Sequence, residues 1–215
     1  MKHLPTLIAL AFALSICNLA GKLKSSSSES NSNHGSGTGS ASSGTAGDAT
    51  INRAQPTAAQ AAALDGGQTV NWDKQGLTWT LPPKWTKATD EAKMLVWRSP
   101  GSSDAASLIV SISPMDASFP TEASLKAFYD GSESRAKNGE VDEVRWLELD
   151  GVKGVQFREA MPDKPDDARR LQWIAYRDLA GQKQMINLML AANGKDFARH
   201  QDALYGILYS TKVAH

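Results

Sequence analysis

From Lys22 to Gly67 the chain runs for 46 residues without one aromatic side chain, and this stretch limits how much of the molecule can fold. It is built of serine, glycine, alanine and threonine, densest at Ser25-Ser26-Ser27-Ser28 and Gly35-Ser36-Gly37-Thr38-Gly39-Ser40. That composition cannot bury enough apolar surface to offset the entropy of ordering, so residues 21–67 read as a disordered tether. As a flexible coil its r.m.s. reach is roughly 35–40 Å. Ala58 to Leu64 has the makings of a helical turn or two, although short isolated helices are marginal in water. All six tryptophans lie beyond it, between Trp72 and Trp173. The 148 residues from Gln68 to His215 are therefore the part able to build a core, and they amount to one domain. They carry nineteen basic and twenty acidic side chains, one net negative charge. A nucleic-acid binder needs a basic face to neutralise phosphates, so nucleic acid is not expected as a partner.

Residues 1–20 read as an export signal. Lys2 and His3 give a basic start, and Leu4 to Ile16 is a charge-free, almost wholly apolar run. At about 13 residues it is too short to span a bilayer and the right length for a signal-peptide core. The absence of arginine from this segment argues against a mitochondrial presequence. Leu14-Ser15-Ile16-Cys17 resembles a bacterial lipobox, which makes Cys17 the expected lipid-attachment residue and first mature residue. It departs from that pattern at Ile16, where a small residue is usual. The rival cleavage site, after Ala20, has Asn18 where a small residue is wanted. Cys17 is the only cysteine, so no intramolecular disulfide is available to staple the domain.

In the domain, Thr69 to Trp72 reads as a short extended segment. After a turn at Lys74-Gln75-Gly76, strict alternation puts Leu77, Trp79 and Leu81 on one face of a strand, which Pro82-Pro83 ends. Met94 to Arg98 and Leu108 to Ser113 are further strands. Thr121 is the expected N-cap of a helix with Leu125, Phe128, Tyr129, Ser132 and Ala136 on one face, stopped at Asn138-Gly139. Val144 to Leu149 and Val152 to Ala160 form a hairpin across Asp150-Gly151, a dipeptide suited to the two positive φ angles of a type I′ turn. Arg170 to Leu179 and Gln184 to Ala192 form a second hairpin. A last helix, Lys195 to Thr211, carries the stripe Phe197, Gln201, Leu204, Tyr205 and Leu208. Grouped antiparallel strands with few helices indicate the α+β class, an antiparallel β-sheet covered by helices.

The Leu81-Pro82-Pro83-Lys84-Trp85 segment, the central helix, the hairpin Leu149-Asp150-Gly151-Val152-Lys153-Gly154 and the terminal Ile207-Leu208-Tyr209-Ser210 together resemble the PsbP-like fold group, which includes DcrB-type bacterial lipoproteins. The likeness spans about Trp72 to Val213. It implies an α/β/α sandwich and a non-catalytic binding or assembly role, and it brings no shared catalytic residues.

Residue chemistry adds little. Gly35 and Gly37 begin a Gly-x-Gly, but Ser40 stands where a third glycine is needed and no strand precedes it, so no phosphate loop is expected. Of four histidines, His3, His34 and His215 lie outside the expected fold, and His200 sits at the edge of the terminal helix's stripe. A Ser-His-Asp triad would depend on His200 alone, a Cys-His pair has no cysteine in the domain, and zinc would need carboxylate ligands. Asp163, Asp166 and Asp167 form the one acidic loop able to attract calcium, without the central glycine of a calcium loop. No cofactor, metal or catalytic residue is therefore expected. Trp79 and Trp146 read as core. Trp72, Trp97 and Trp173 are not placed by pattern, and Trp85, after the prolines, is the candidate binding surface. The reading that follows is an exported, membrane-anchored lipoprotein of the bacterial cell envelope, periplasmic or on the outer surface, whose domain binds an envelope protein. A small-ligand-binding lipoprotein serving a transporter, with a tryptophan-lined pocket, and a carboxylate-based hydrolase stand as alternatives.

Overall fold

The computed structural model describes residues 50–53, 55–101 and 104–214. The signal segment, Cys17, residues 21–49 of the tether and His215 lie outside the described residues.

The elements are β1 (Asn52–Arg53), α1 (Ala58–Ala62), β2 (Gln68–Trp72), β3 (Leu77–Leu81), β4 (Thr86–Asp90), β5 (Met94–Arg98), β6 (Ser107–Pro114), α2 (Thr121–Lys137), β7 (Val141–Leu149), β8 (Val152–Glu159), β9 (Ala168–Leu179), β10 (Gln182–Asn193), α3 (Gly194–Tyr209) and β11 (Lys212–Val213). Eight strands make one sheet in the order β1-β7-β8-β9-β10-β6-β5-β4, and three make a second, β11-β3-β2. Every pairing is antiparallel except that of β1 with β7. This is the α+β architecture expected. The Asp150-Gly151 turn has the positive φ angles its residues suit, 49° and 84°.

The large sheet has unlike layers on its two faces. On one, α3 and the small sheet enclose the main core, where Trp79, Phe197, Leu108, Leu171, Trp173, Leu188 and Leu190 have no exposed surface. On the other, α2 lies over β7, β8 and β9, with Leu125 and its neighbours packed on Val155, Phe157 and Ile174. Tyr129 stacks there on Trp146, with ring centroids 5.0 Å apart. Trp79 and Trp146 are thus core residues, one in each layer, as alternation predicts.

Three expectations need correction. The tether does not extend to Gly67. Asn52 and Arg53 pair with Leu147 and Glu148 on the edge of the sheet, and α1 is capped by a reciprocal bond pair: the Gln60 amide donates to Thr57 Oγ1 (3.2 Å), and the Thr57 amide donates to Gln60 Oε1 (2.9 Å). The composition argument holds for a chain with nothing to dock on, and here α3 supplies the surface. A Cβ on Gly206 would stand 2.6 Å from the Gln60 carbonyl, so the missing side chain is what lets α1 lie close. Next, Thr121 is the first residue of α2 and not its cap: Pro120 takes the N-cap position with no side-chain bond. Finally, β4 was not expected, because this edge strand has no buried face and hence no apolar alternation to read.

Gly206→Ala should leave the domain folded, because alanine favours α3, yet lift α1 away. Hydrogen exchange at residues 58–64 and tryptic cleavage after the exposed Arg53 should both quicken about tenfold, the factor that 1.4 kcal/mol of lost docking gives. Unchanged rates would show that α1 does not depend on this contact.

Candidate functional site

The tryptophan nominated as a binding surface is a core residue. Trp85 is 5% exposed and packs with Trp72, Trp79 and Trp173 between the two sheets. The reason lies one residue earlier. Lys84 adopts φ 65°, a left-handed turn that swings the indole inward, while the Trp85 carbonyl accepts a bond from Gln68 Nε2 at 2.8 Å. Trp97 packs half-buried against the same core. Trp72, Trp79, Trp85 and Trp173, which a ligand pocket would have needed, are thus buried within one core.

The other nominated residues are dispersed. His200 Nε2 donates to the Asp104 carbonyl at 2.8 Å, which fixes the loop before β6 to α3. Asp163 lines an open cleft of about 380 Å³ between the end of α2 and the loop after β8. Asp166 is bonded to Lys195, and the Asp167 carbonyl accepts the Gly194 amide at 2.9 Å. Among the described residues no three His, Cys, Asp or Glu side chains converge as metal ligands would.

One polar network was missed by the sequence reading. β7 and β8 direct Glu143, Arg145, Gln156 and Arg158 toward α3, which presents Tyr205 and Tyr209 one turn apart. Gln156, with no exposed surface, donates to Glu143 at 2.8 Å and accepts from Arg145 Nε at 2.8 Å. Tyr205 donates to Glu143 and accepts from Arg158 at 3.1 Å, and Arg145 donates to Tyr209. Arg158 Nε reaches Asp142 at 2.6 Å, and Arg169 bonds the same carboxylate. The seat an incoming anion would need among these guanidinium groups is already filled by Glu143 and Asp142. The network thus anchors α3 to the sheet.

Burial, and then the Glu143 carboxylate beside it, hold the Tyr205 phenol well above the usual tyrosine range; burial also raises Tyr209, against the pull of Arg145. The unfolded chain ionises these phenols near pH 10, so their contribution is complete below that pH and is lost as pH rises further. Denaturant midpoints should fall steeply above about pH 10, and less steeply in Tyr205→Phe. Parallel slopes in the two proteins would remove Tyr205 from the explanation.

The remaining feature is an uncovered half-face. α2 occupies only the β7–β9 side of its layer. Register places Val96, Ile109, Met189 and Gln172 in one row across β5, β6, β10 and β9, with Arg98, Ser107, Ala191 and Arg170 in the next and Met94, Ser111, Asn187 and Ile174 on the other side. Ile174 lies beneath α2, so the rows belong to its face. Met94, Val96, Ile109 and Met189 are half-buried, whereas their alternates Leu108, Val110, Leu188 and Leu190 are fully buried on the opposite face. Among the described residues no helix packs closely over this half. The signal for it is present in β6, where Ser107, Ser111 and Ser113 alternate with Leu108, Val110 and Ile112. Small polar residues on one face mark a surface without a thick layer above it.

No family model matches the chain, and no curated protein matches it. Solved structures do resemble it. Cyanobacterial PsbP from Synechocystis is 15% identical with a TM-score of 0.43, over 68% of this chain and 92% of that one. A protein of unknown function from Pseudomonas aeruginosa, PA94, is 11% identical with a TM-score of 0.41, over 67% and 94%. A Bacteroides thetaiotaomicron protein is 9% identical with a TM-score of 0.41 over 65% of this chain and 46% of its own, so the chain spans about half of that protein. A PsbP protein thus stands among the structures similar to this one. Likeness at these values says nothing of activity or partner.

Proposed function

We propose that this chain is an exported, lipid-anchored, non-catalytic binding module of the bacterial cell envelope, held to its membrane through Cys17 and engaging a protein partner with its folded domain. The observation that carries the binding role is the half-face of β5, β6 and β10, where Met94, Val96, Ile109 and Met189 lie half-buried with no described helix over them. Apolar surface left uncovered on a folded domain marks an interaction site more often than it marks a defect. The anchor is supported by the sequence alone: the short apolar run, the Leu14-Ser15-Ile16-Cys17 segment and the Ser-rich residues after it.

Two measurements test the two halves of the reading. The mass of the mature N-terminus should correspond to diacylglyceryl-modified Cys17; an unmodified Gly21 would remove the anchor. Affinity capture with the full chain from cross-linked native envelope should return one stoichiometric protein, and recovery of none would count against a protein-binding role.

A further inference from the structure

We infer that the uncovered half-face is a docking trench for one amphipathic helix of a partner protein, lying beside α2 with its apolar stripe on Met94, Val96, Ile109 and Met189 and a carboxylate against Arg98. This rests on the binding-module reading and gives it a surface and a partner chemistry.

Three observations select a helix. The first is width. β10, β6 and β5 span roughly 10 Å between outer strands, about the diameter of one helix. The same sheet already shows the arrangement three strands away, where the 17 residues of α2 lie over β7, β8 and β9. Second, the apolar surface is continuous with that interface: Met185 and Tyr176 pack at the margin of the cluster beneath α2, and Met185 pairs with Ser113 at the near end of the open rows. α2 stands about 10 Å above the sheet and so forms one wall, which suits a helix alongside it better than a second sheet laid flat. The third is charge. Arg98 is exposed and has no ion-pair partner among the described residues, whereas Arg170 in the same row is taken by Glu159 at 3.0 Å. None of the side chains in the three rows is acidic, so the unmatched cation calls for a carboxylate from outside.

A benzophenone amino acid placed at Ile109, and separately at Met189, in the full chain tests this in the native envelope. Lys87 on β4 and Lys126 on α2, both exposed, serve as control positions. Ser111 replaces either probe site if the near-ultraviolet spectrum of the six tryptophans shows a perturbed fold. The expected result is a protein adduct from the trench positions, mapping to a partner segment with apolar residues three and four apart and Asp or Glu toward the Arg98 end. A synthetic peptide of that mapped segment should gain helicity on binding. Its affinity should fall about tenfold for Arg98→Glu and recover when the peptide's acid is changed to lysine. Adducts that map to an alternating, strand-like segment, to a second copy of this chain or to lipid overturn the inference. Protein adducts from Lys87 or Lys126 alone overturn it while leaving the binding-module reading standing. No protein adduct from any position sinks both.

Discussion

Adding one methyl group at Gly154 should destabilise the domain by about 3 kcal/mol, the upper end of what overpacking a core costs. Glycine in mid-strand is unfavourable on entropy alone, so its presence in β8 needs a reason. The reason lies on the next strand. The Trp173 indole lies across β8 at this point, and its Nε1 donates to the Leu147 carbonyl on β7 at 3.1 Å. A Cβ on Gly154 would come within 2.7 Å of Trp173 Cε2 and 2.6 Å of the Ile174 carbonyl. Neither can move away: Trp173 is fully buried, and the carbonyl belongs to the ladder. Gly154→Ala should therefore lower the denaturant midpoint without changing the slope. A double-mutant cycle identifies the cause. Trp173→Phe removes the indole nitrogen and part of the clash, so the double variant should be at least about 1 kcal/mol more stable than the sum of the two single losses. Strict additivity would place the strain elsewhere, at the Ile174 carbonyl.

The contrast between Gly154 and Asp150-Gly151 shows where sequence reading succeeds. The hairpin turn was legible because its requirement is local: two positive φ angles at adjacent residues. So was the alternation of Leu77, Trp79 and Leu81, and Met94–Arg98 was read with its true ends. Gly154 was not legible, because its requirement comes from an indole nineteen residues away that crosses a neighbouring strand. Trp85 failed for a related reason. Two prolines before it suggested an exposed rim, and nothing local announces that Lys84 turns left-handed and buries the indole. β1 escaped notice and α1 read only as a marginal turn or two of helix, because their stability comes from Leu147, Glu148 and Gly206, supplied by distant elements. The uncovered half-face was half legible. The serines of β6 mark a thin or missing layer, but that Ser111 shares a row with Met94, Asn187 and Ile174, and Ser107 one with Arg98 and Arg170, follows only from long-range register.

Arg177→Met should cost about 3 kcal/mol and loosen the small sheet before the large one. Arg177 is 5% exposed, and among the described residues no carboxylate pairs with it. Its guanidinium is spent on neutral acceptors: the Gln75 carbonyl at 2.5 Å, the Ala214 carbonyl at 3.0 Å, and Gln184 Oε1 at 3.1 and 3.2 Å. Gln75 and Ala214 flank the turn and the terminal strand of the β11-β3-β2 sheet, and the Ala214 amide closes the clasp on the Gly76 carbonyl at 2.8 Å. A residue of β9 thus ties the second sheet to the first. Burial alone pulls the Arg177 pKa below its usual value, but arginine starts so high that it stays charged, so its effect should not vary between pH 5 and 9. Two opposing terms meet in the methionine variant. Removing a buried, uncompensated cation recovers its desolvation penalty, while the buried Gln184 Oε1 loses its donor and the more exposed Gln75 and Ala214 carbonyls lose the bonds that tie the second sheet to the first. The second should prevail, because a hydrogen bond to a charged donor is worth about 1.5–3 kcal/mol and all three acceptors lose one, Gln184 among them inside the core. Arg177→Lys keeps the charge but not the fork, and should recover less than half of the loss. Hydrogen exchange should show β2 and β3 amides losing protection while β8 and β9 keep theirs. A methionine variant as stable as the parent would mean that the packed tryptophans alone hold the two sheets together.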